Sequence, residues 1–144
     1  MTVSQVSVFL EDKPGHLEQV LRVLEEACIN IISLTIAEAS GYGLVRMIVD
    51  KPSEAVSALQ ARNITCSETA VLAVEIEDIP GALLSALRSF KHRNLNIEYL
   101  YTFPEKKRPD RVVVIFRFEE AASAQRLLQE DGFPVLSHQD ITGA

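Results

Sequence analysis

The chain carries only two cysteines in 144 residues, Cys28 and Cys66. Their spacing fits neither a metal-ligating set nor a C-x-x-C redox pair. Each lies among apolar neighbours and is read as a reduced core thiol, the usual place of a free cysteine. Long hydrophobic runs are also missing. Stretches such as "VVVIF" are far too short to span a bilayer, and the opening "MTVSQVSVFLEDK" has no basic region of the kind that begins a signal peptide. The expectation is a cytoplasmic chain without a membrane partner. Nor is there an excess of positive charge: 14 Lys and Arg against 20 Asp and Glu give a net charge of -6 and a pI near 5.1. That balance disfavours nucleic acid as a partner.

Catalytic signatures are absent as well. His92, in "FKHRN", and His138 stand with no matching Ser, Cys or carboxylate motif, and nothing resembles a G-x-S-x-G elbow or a phosphate-binding loop. No catalytic residue, metal site or cofactor is expected, and the chain is read as a non-enzyme. "VVVIFRF" sets Phe116 and Phe118 at alternating positions but outside any R-G-F-x-F motif, so these rings are assigned to a core rather than to RNA stacking.

What the chain does have is a repeat. "EDKPGHL", residues 11–17, returns 66 positions later as "EDIPGAL", residues 77–83. Residues 6–34 set over 72–100 without a gap share eleven identities: Val8, Glu11, Asp12, Pro14, Gly15, Leu17, Leu21, Arg22, Asn30, Ile31 and Leu34. Such a period is a domain, not a solenoid unit. The copies diverge where the second inserts "FPEKKRPDR" against "SGYG" in the first.

Both copies read in the same order. Val6, Val8 and Leu10, like Leu72, Val74 and Ile76, alternate as in a strand. Leu17, Val20, Leu21, Leu24 and Cys28, like Leu83, Leu84, Leu87 and Phe90, fall at helical spacing, each helix beginning at a proline. Strands at "INIISLTIA" and "LVRMIV", a helix opened by Pro52 and a short strand around "ITCSE" complete the first copy. "LNIEYLYTF", "VVVIFRF", "EEAASAQRLLQED" and "FPVLS" complete the second. The order βαββαβ, twice, predicts an α+β chain of two ferredoxin-like repeats, antiparallel sheets with helices on one face. The boundaries are set at 1–68 and 69–144, with "SETA" too short to let the halves tumble independently. Phe9, Tyr99 and Tyr101 on the other sheet face suggest a cover there, most simply a homodimer.

The repeated corner has its own chemistry. A helix starting there presents unpaired N–H groups and the positive end of its dipole, which favour a carboxylate. Gly15 and Gly81 allow close approach. Asp12 and Asp78 either cap their own helix or hold an ammonium group. A carboxylate beside an ammonium describes an α-amino acid.

"EDKPGHLEQVLRVLEEACINIISLTI" and "EDIPGALLSALRSFKHRNLNIEYLYT" resemble the opening of ACT domains, with D-x-P-G-x-L followed by x-I-N-I or x-L-N-I. The resemblance covers both repeats. The second is similar to the regulatory subunit of acetolactate synthase, whose remaining domain has no counterpart here. The resemblance implies regulatory binding of a small ligand, most often an amino acid, between paired ACT domains. It places ligand contacts at Asp12, Lys13, Gly15, His16 and Leu17 and at Asp78, Ile79, Gly81, Ala82 and Leu83. The opposite wall falls to Asn30 and Ile32 or to Asn96 and Glu98. His16 is otherwise an exposed first-turn residue, and Asn30 and Asn96 are otherwise turn residues. His16 aligns with Ala82, Lys13 with Ile79 and Ile32 with Glu98, so the two pockets are expected to differ. Lys106, Lys107, Arg108 and Arg111 form either a solvated hairpin tip or a docking surface for an acidic partner. Two functions follow: a ligand sensor acting on a partner metabolic enzyme or regulator, or a constitutive interaction module whose pockets are vestigial.

Overall fold

A computed structural model describes residues 2–143. The elements are β1 (Val3–Glu11), α1 (His16–Glu26), β2 (Ile31–Ala39), β3 (Tyr42–Val49), α2 (Pro52–Ala61), β4 (Cys66–Glu77), α3 (Ala82–His92), β5 (Ile97–Thr102), β6 (Arg111–Phe118), α4 (Ala121–Glu130), β7 (Val135–Leu136) and α5 (His138–Thr142). They form two compact units, Ser4–Thr69 and a second that takes in Ala70 onward. The chain is α+β with two βαββαβ repeats, as the alternating and helical periodicities require. The residues read as a linker, "SETA", instead lie inside β4, one strand of 12 residues. Neither proline nor glycine interrupts Cys66–Glu77, so nothing breaks the extended backbone.

In the first unit β2 pairs with β3 and β3 with β1, all antiparallel. On the far side of β1, the Phe9 N–H donates to the Thr65 carbonyl at 2.9 Å. Register decides what each face carries. Val6 and Val8 lie opposite Met47 and Val45, and these join Val20, Val23 and Leu24 of α1 and Ala55 and Leu59 of α2 in a dry aliphatic core. Leu34 and Ile36 of β2 share that face but lie beyond the helices, 39% and 47% exposed.

The second unit repeats the plan with β5 on β6, β6 on β4 and β4 on β7. Its core is aromatic. Phe90 of α3 meets Phe116 and Phe118 edge-on at centroid distances of 5.3 and 5.5 Å and Phe133 at 5.4 Å, contacts worth roughly 0.5–1.5 kcal/mol each beyond area burial. Phe116 and Phe118 are thus core residues. On the opposite sheet face Phe9 stacks on Tyr42 at 4.5 Å, and Tyr99 and Tyr101 are half-buried. Ile48 and Ile115 on those faces are fully buried. The large exposed side chains include Leu34, Ile36 and Leu100 on the helix side of β2 and β5, as well as Phe9 itself.

Cys28 is not a core thiol, whereas Cys66 packs against the core of the first unit. Cys28 is exposed because it follows the last turn of α1 in a left-handed conformation, φ 58°. Cys66 is half-buried, and burial raises its thiol pKa. All four long helices end in the same way, with Cys28, Asn63, Asn94 or Gly132 at positive φ. The next residue donates back into the last turn: Ile29 to Leu24, Ile64 to Leu59, Leu95 to Phe90 and Phe133 to Leu128.

The periodicity did not reveal α5. It is only five residues long, yet Ser137 and Asp140 form a full capping box, Asp140 N–H donating to Ser137 Oγ at 3.1 Å and Ser137 N–H to Asp140 Oδ2 at 2.8 Å. The signal lay in "SHQD", a Ser followed three residues later by an acidic residue. Among the described residues, no helix is long and apolar enough to cross a membrane.

Candidate functional site

The repeated corner is built in the same way twice. The helices begin two residues after the prolines, at His16 and Ala82. Each is preceded by a glycine in the left-handed region, Gly15 at φ 85° and Gly81 at φ 83°, a conformation L side chains rarely adopt. Proline supplies the turn and glycine reverses the chain into the helix. Among the described residues, neither helix start receives a side-chain cap. The first N–H of each helix donates to the backbone of the turn before it, His16 to the Lys13 carbonyl at 3.5 Å and Ala82 to the Ile79 carbonyl at 3.3 Å, and the next two N–H groups have no intrahelical acceptor. The capping role open to Asp12 and Asp78 is not taken up.

In the first unit Asp12 and Lys13 are exposed, and Lys13 Nζ pairs with Glu11 Oε2 at 2.9 Å. That hydrogen bond, with the ammonium charge, holds the Glu11 carboxyl below its ordinary pKa. His16 is buried, not an exposed first-turn residue: its Nδ1 accepts the Glu11 N–H at 2.7 Å. The imidazole thereby ties the end of β1 to the first turn of α1. Leu17 packs partly buried against the core. Beside Asp12 opens a cleft of about 420 Å³, whose walls include Leu10, Ile36, Glu38 and Tyr42.

In the second unit the corner borders a cleft of about 390 Å³, lined by Ile79, Gly81 and Ala82 together with Ser85, Arg111 and Phe133. Among the described residues, none offers a hydrogen-bond partner to Arg111 Nε, which is buried there. Asp78 is engaged by the chain itself, its Oδ2 2.5 Å from Lys106 Nζ. The basic cluster is an exposed hairpin tip whose cations also form ion pairs. Arg108 donates from Nη2 to Glu75 Oε1 at 2.9 Å and from Nε to Oε2 at 3.5 Å, which raises the Arg108 pKa. Lys107 pairs with Glu105 at 3.7 Å. Leu83 is exposed on the first turn of α3.

Asn30, Ile32, Asn96 and Glu98 stand apart from these corners. Because β1 runs parallel to β2, and β4 to β5, the end of the first strand and the start of the second lie at opposite ends of the same unit. The nine residues of β2 put them roughly 25 Å apart. A single repeat therefore does not bring the two expected walls together. Asn30 and Asp50 exchange bonds that close the start of β2, Asn30 N–H to Asp50 Oδ1 at 3.0 Å and Asp50 N–H to the Asn30 carbonyl at 3.2 Å. The Asn96 carbonyl accepts from Glu119 N–H at 3.4 Å. Ile32 and Glu98 both sit at register shifts, so the two edge strands bulge at the same place. Glu98 also pairs with Arg117 at 3.5 Å.

Two βαββαβ units thus open on the same D-x-P-G corner. The sequence model of the ACT domain pair matches residues 1–143, and the chain belongs to that family. A solved protein from Bacteroides thetaiotaomicron is similar over 100% of this chain and 98% of its own, with 30% identity and a TM-score of 0.90. The regulatory subunit of aspartate kinase from Thermus thermophilus shares the fold, with a TM-score of 0.60 and 20% identity over 90% of this chain and 92% of that one. Its Thermus flavus counterpart gives 0.59 and 19% over 88% and 90%. Among curated proteins no match is found.

Proposed function

We propose that the protein is a non-catalytic sensor that binds a free amino acid at the D-x-P-G corner, with a paired ACT domain closing the site. One observation carries the reading. Both helix starts lack a side-chain cap although an aspartate stands three residues before each N-cap glycine, and Asp78 holds an ammonium group. A corner that offers N–H groups to a carboxylate and an aspartate to an ammonium matches the backbone end of an amino acid. Ligand binding stabilises one arrangement of the protein and so changes how a partner enzyme or regulator is engaged. The protein acts as a homodimer in this reading. The exposed Leu34 and Ile36 on β2, which among the described residues pairs only with β3, support such an assembly.

The same exposed edge favours the second reading, a constitutive interaction module. A thermal-melt screen against the twenty amino acids separates the two. A ligand at one hundred times its dissociation constant adds about 2.7 kcal/mol at one site. The sensor reading predicts a raised melting temperature for one or a few amino acids, lost in Asp12→Asn or Asp78→Asn. No rise for any of them moves the conclusion to the interaction module.

A further inference from the structure

The first turns of α1 and α3 differ in a way that reaches the sheet edge beside them. Along an antiparallel strand the N–H groups face alternate sides. Asp78 N–H donates to the Asp110 carbonyl at 3.0 Å, on the β6 side, so the N–H groups of Glu75 and Glu77 face the other way. There Glu75 donates to the Pro134 carbonyl at 3.0 Å, as its counterpart Phe9 does to Thr65 in the first unit. Two residues on, the repeats part. Glu11 N–H donates to the buried imidazole of His16, but Ala82 stands in place of His16 and offers Glu77 no side-chain acceptor.

The helix face that follows is also smaller in the second repeat. Ser85 replaces Gln19 and Ala86 replaces Val20, one turn beyond Ala82. Ala82, Ser85 and Ala86, together with Glu77, line the cleft of about 390 Å³. Across from Glu77 in the register lies Arg111, where the first repeat has Tyr42. Its Nε is buried in this cleft with no hydrogen-bond partner among the described residues, and an orphaned donor on a charged group is costly. The acidic side chains of the walls do not compensate it: Glu75 is paired with Arg108 and Asp131 with Arg93, while Glu77 is exposed. In the first repeat a neutral donor meets an imidazole. Two donors, one of them cationic, match a carboxylate in the second.

We propose that the cleft of the second repeat seats the carboxylate of a small ligand on Glu77 N–H and Arg111 Nε, at the place that His16 fills in the first repeat. The exchange of His16 and Tyr42 for Ala82 and Arg111 both opens this seat and supplies its charge. The assignment rests on the amino-acid reading of the corner, whose carboxylate it locates, and the test keeps the two apart.

Acetate, a carboxylate without an ammonium, is titrated into the full-length chain at constant ionic strength and followed by backbone amide NMR. Saturable movement of the Glu77 amide is expected, with the Glu11 amide unmoved. Ala82→His should abolish the response, and Arg111→Met should weaken binding about tenfold or more, as loss of one charged hydrogen bond does. Absence of saturable movement at Glu77, or an affinity unchanged in Arg111→Met, overturns the proposal whether or not Ala82→His folds. Glycine titrated into the parent protein separates the two readings. Binding at Glu77 tighter than that of acetate, with the advantage lost in Asp78→Asn, supports both. Binding there no tighter than acetate supports the carboxylate seat and discards the ammonium partner. If neither molecule moves Glu77, the seat falls and the melting screen alone judges the amino-acid reading.

Discussion

Single residues at left-handed positions decide how each helix is entered and left, and two of them make opposite predictions. Gly15 has no atom within 4 Å of where a Cβ would stand, so space does not constrain it; φ +85° does. Gly15→Ala is expected to lose about 1 kcal/mol, because the left-handed conformation costs an L residue roughly 1–2 kcal/mol while the stiffer unfolded chain returns roughly 0.5. Cys28 is the reverse case, an unfavourable residue already at φ 58° where Asn94 stands in the second repeat. Cys28→Asn should gain about 0.5 kcal/mol. Urea unfolding of both variants measures the contrast, and equal shifts of one sign would contradict it. His16 shows why a side chain's role is hard to read from its neighbours in sequence. Its burial follows from the bond to Glu11 N–H, which only the folded corner brings within reach.

Among the elements, strands and helices of the two repeats were legible because their apolar periods of two and 3.6 are uninterrupted and occur twice. Helix starts were less so: proline marks the turn, but the uncapped glycine that follows is the boundary, a matter of φ that composition does not carry. The continuous β4 and the folded-back Lys106–Arg108 segment escaped because both depend on partners remote in sequence. Glu75 lies 33 positions from Arg108. The corners themselves were legible from "EDKPGHL" and "EDIPGAL", but the Asp78–Lys106 pair at the second was not. Helix α5 supplies the prediction at this scale. The Ser137 N–H donated to Asp140, together with the Ser137 hydroxyl, holds the Asp140 carboxyl below its ordinary pKa. A carboxyl depressed in the folded state contributes stability above its unfolded pKa and loses it as pH falls through the folded value. The stability difference between the parent and Asp140→Asn should therefore be constant near neutrality and close in acid, below the usual carboxylate range. Ser137→Ala should lose about 1 kcal/mol at neutral pH. Chemical denaturation across pH tests both, and a gap between parent and Asp140→Asn that widened in acid would contradict the capping role.

The whole molecule is a duplicated domain whose copies have parted company at the site. The first repeat keeps an exposed Asp12 beside one cleft, whereas the second pairs Asp78 with Lys106 beside a cleft of its own and has an aromatic core. The central claim is that a free amino acid binds at a D-x-P-G corner. Equilibrium dialysis of each labelled amino acid against the full-length chain and its Asp12→Asn and Asp78→Asn variants tests this most directly. Saturable binding of one or a few amino acids, lost in at least one of the two variants, is the predicted result. Binding that is absent throughout the millimolar range, or that persists unchanged in both variants, would contradict it.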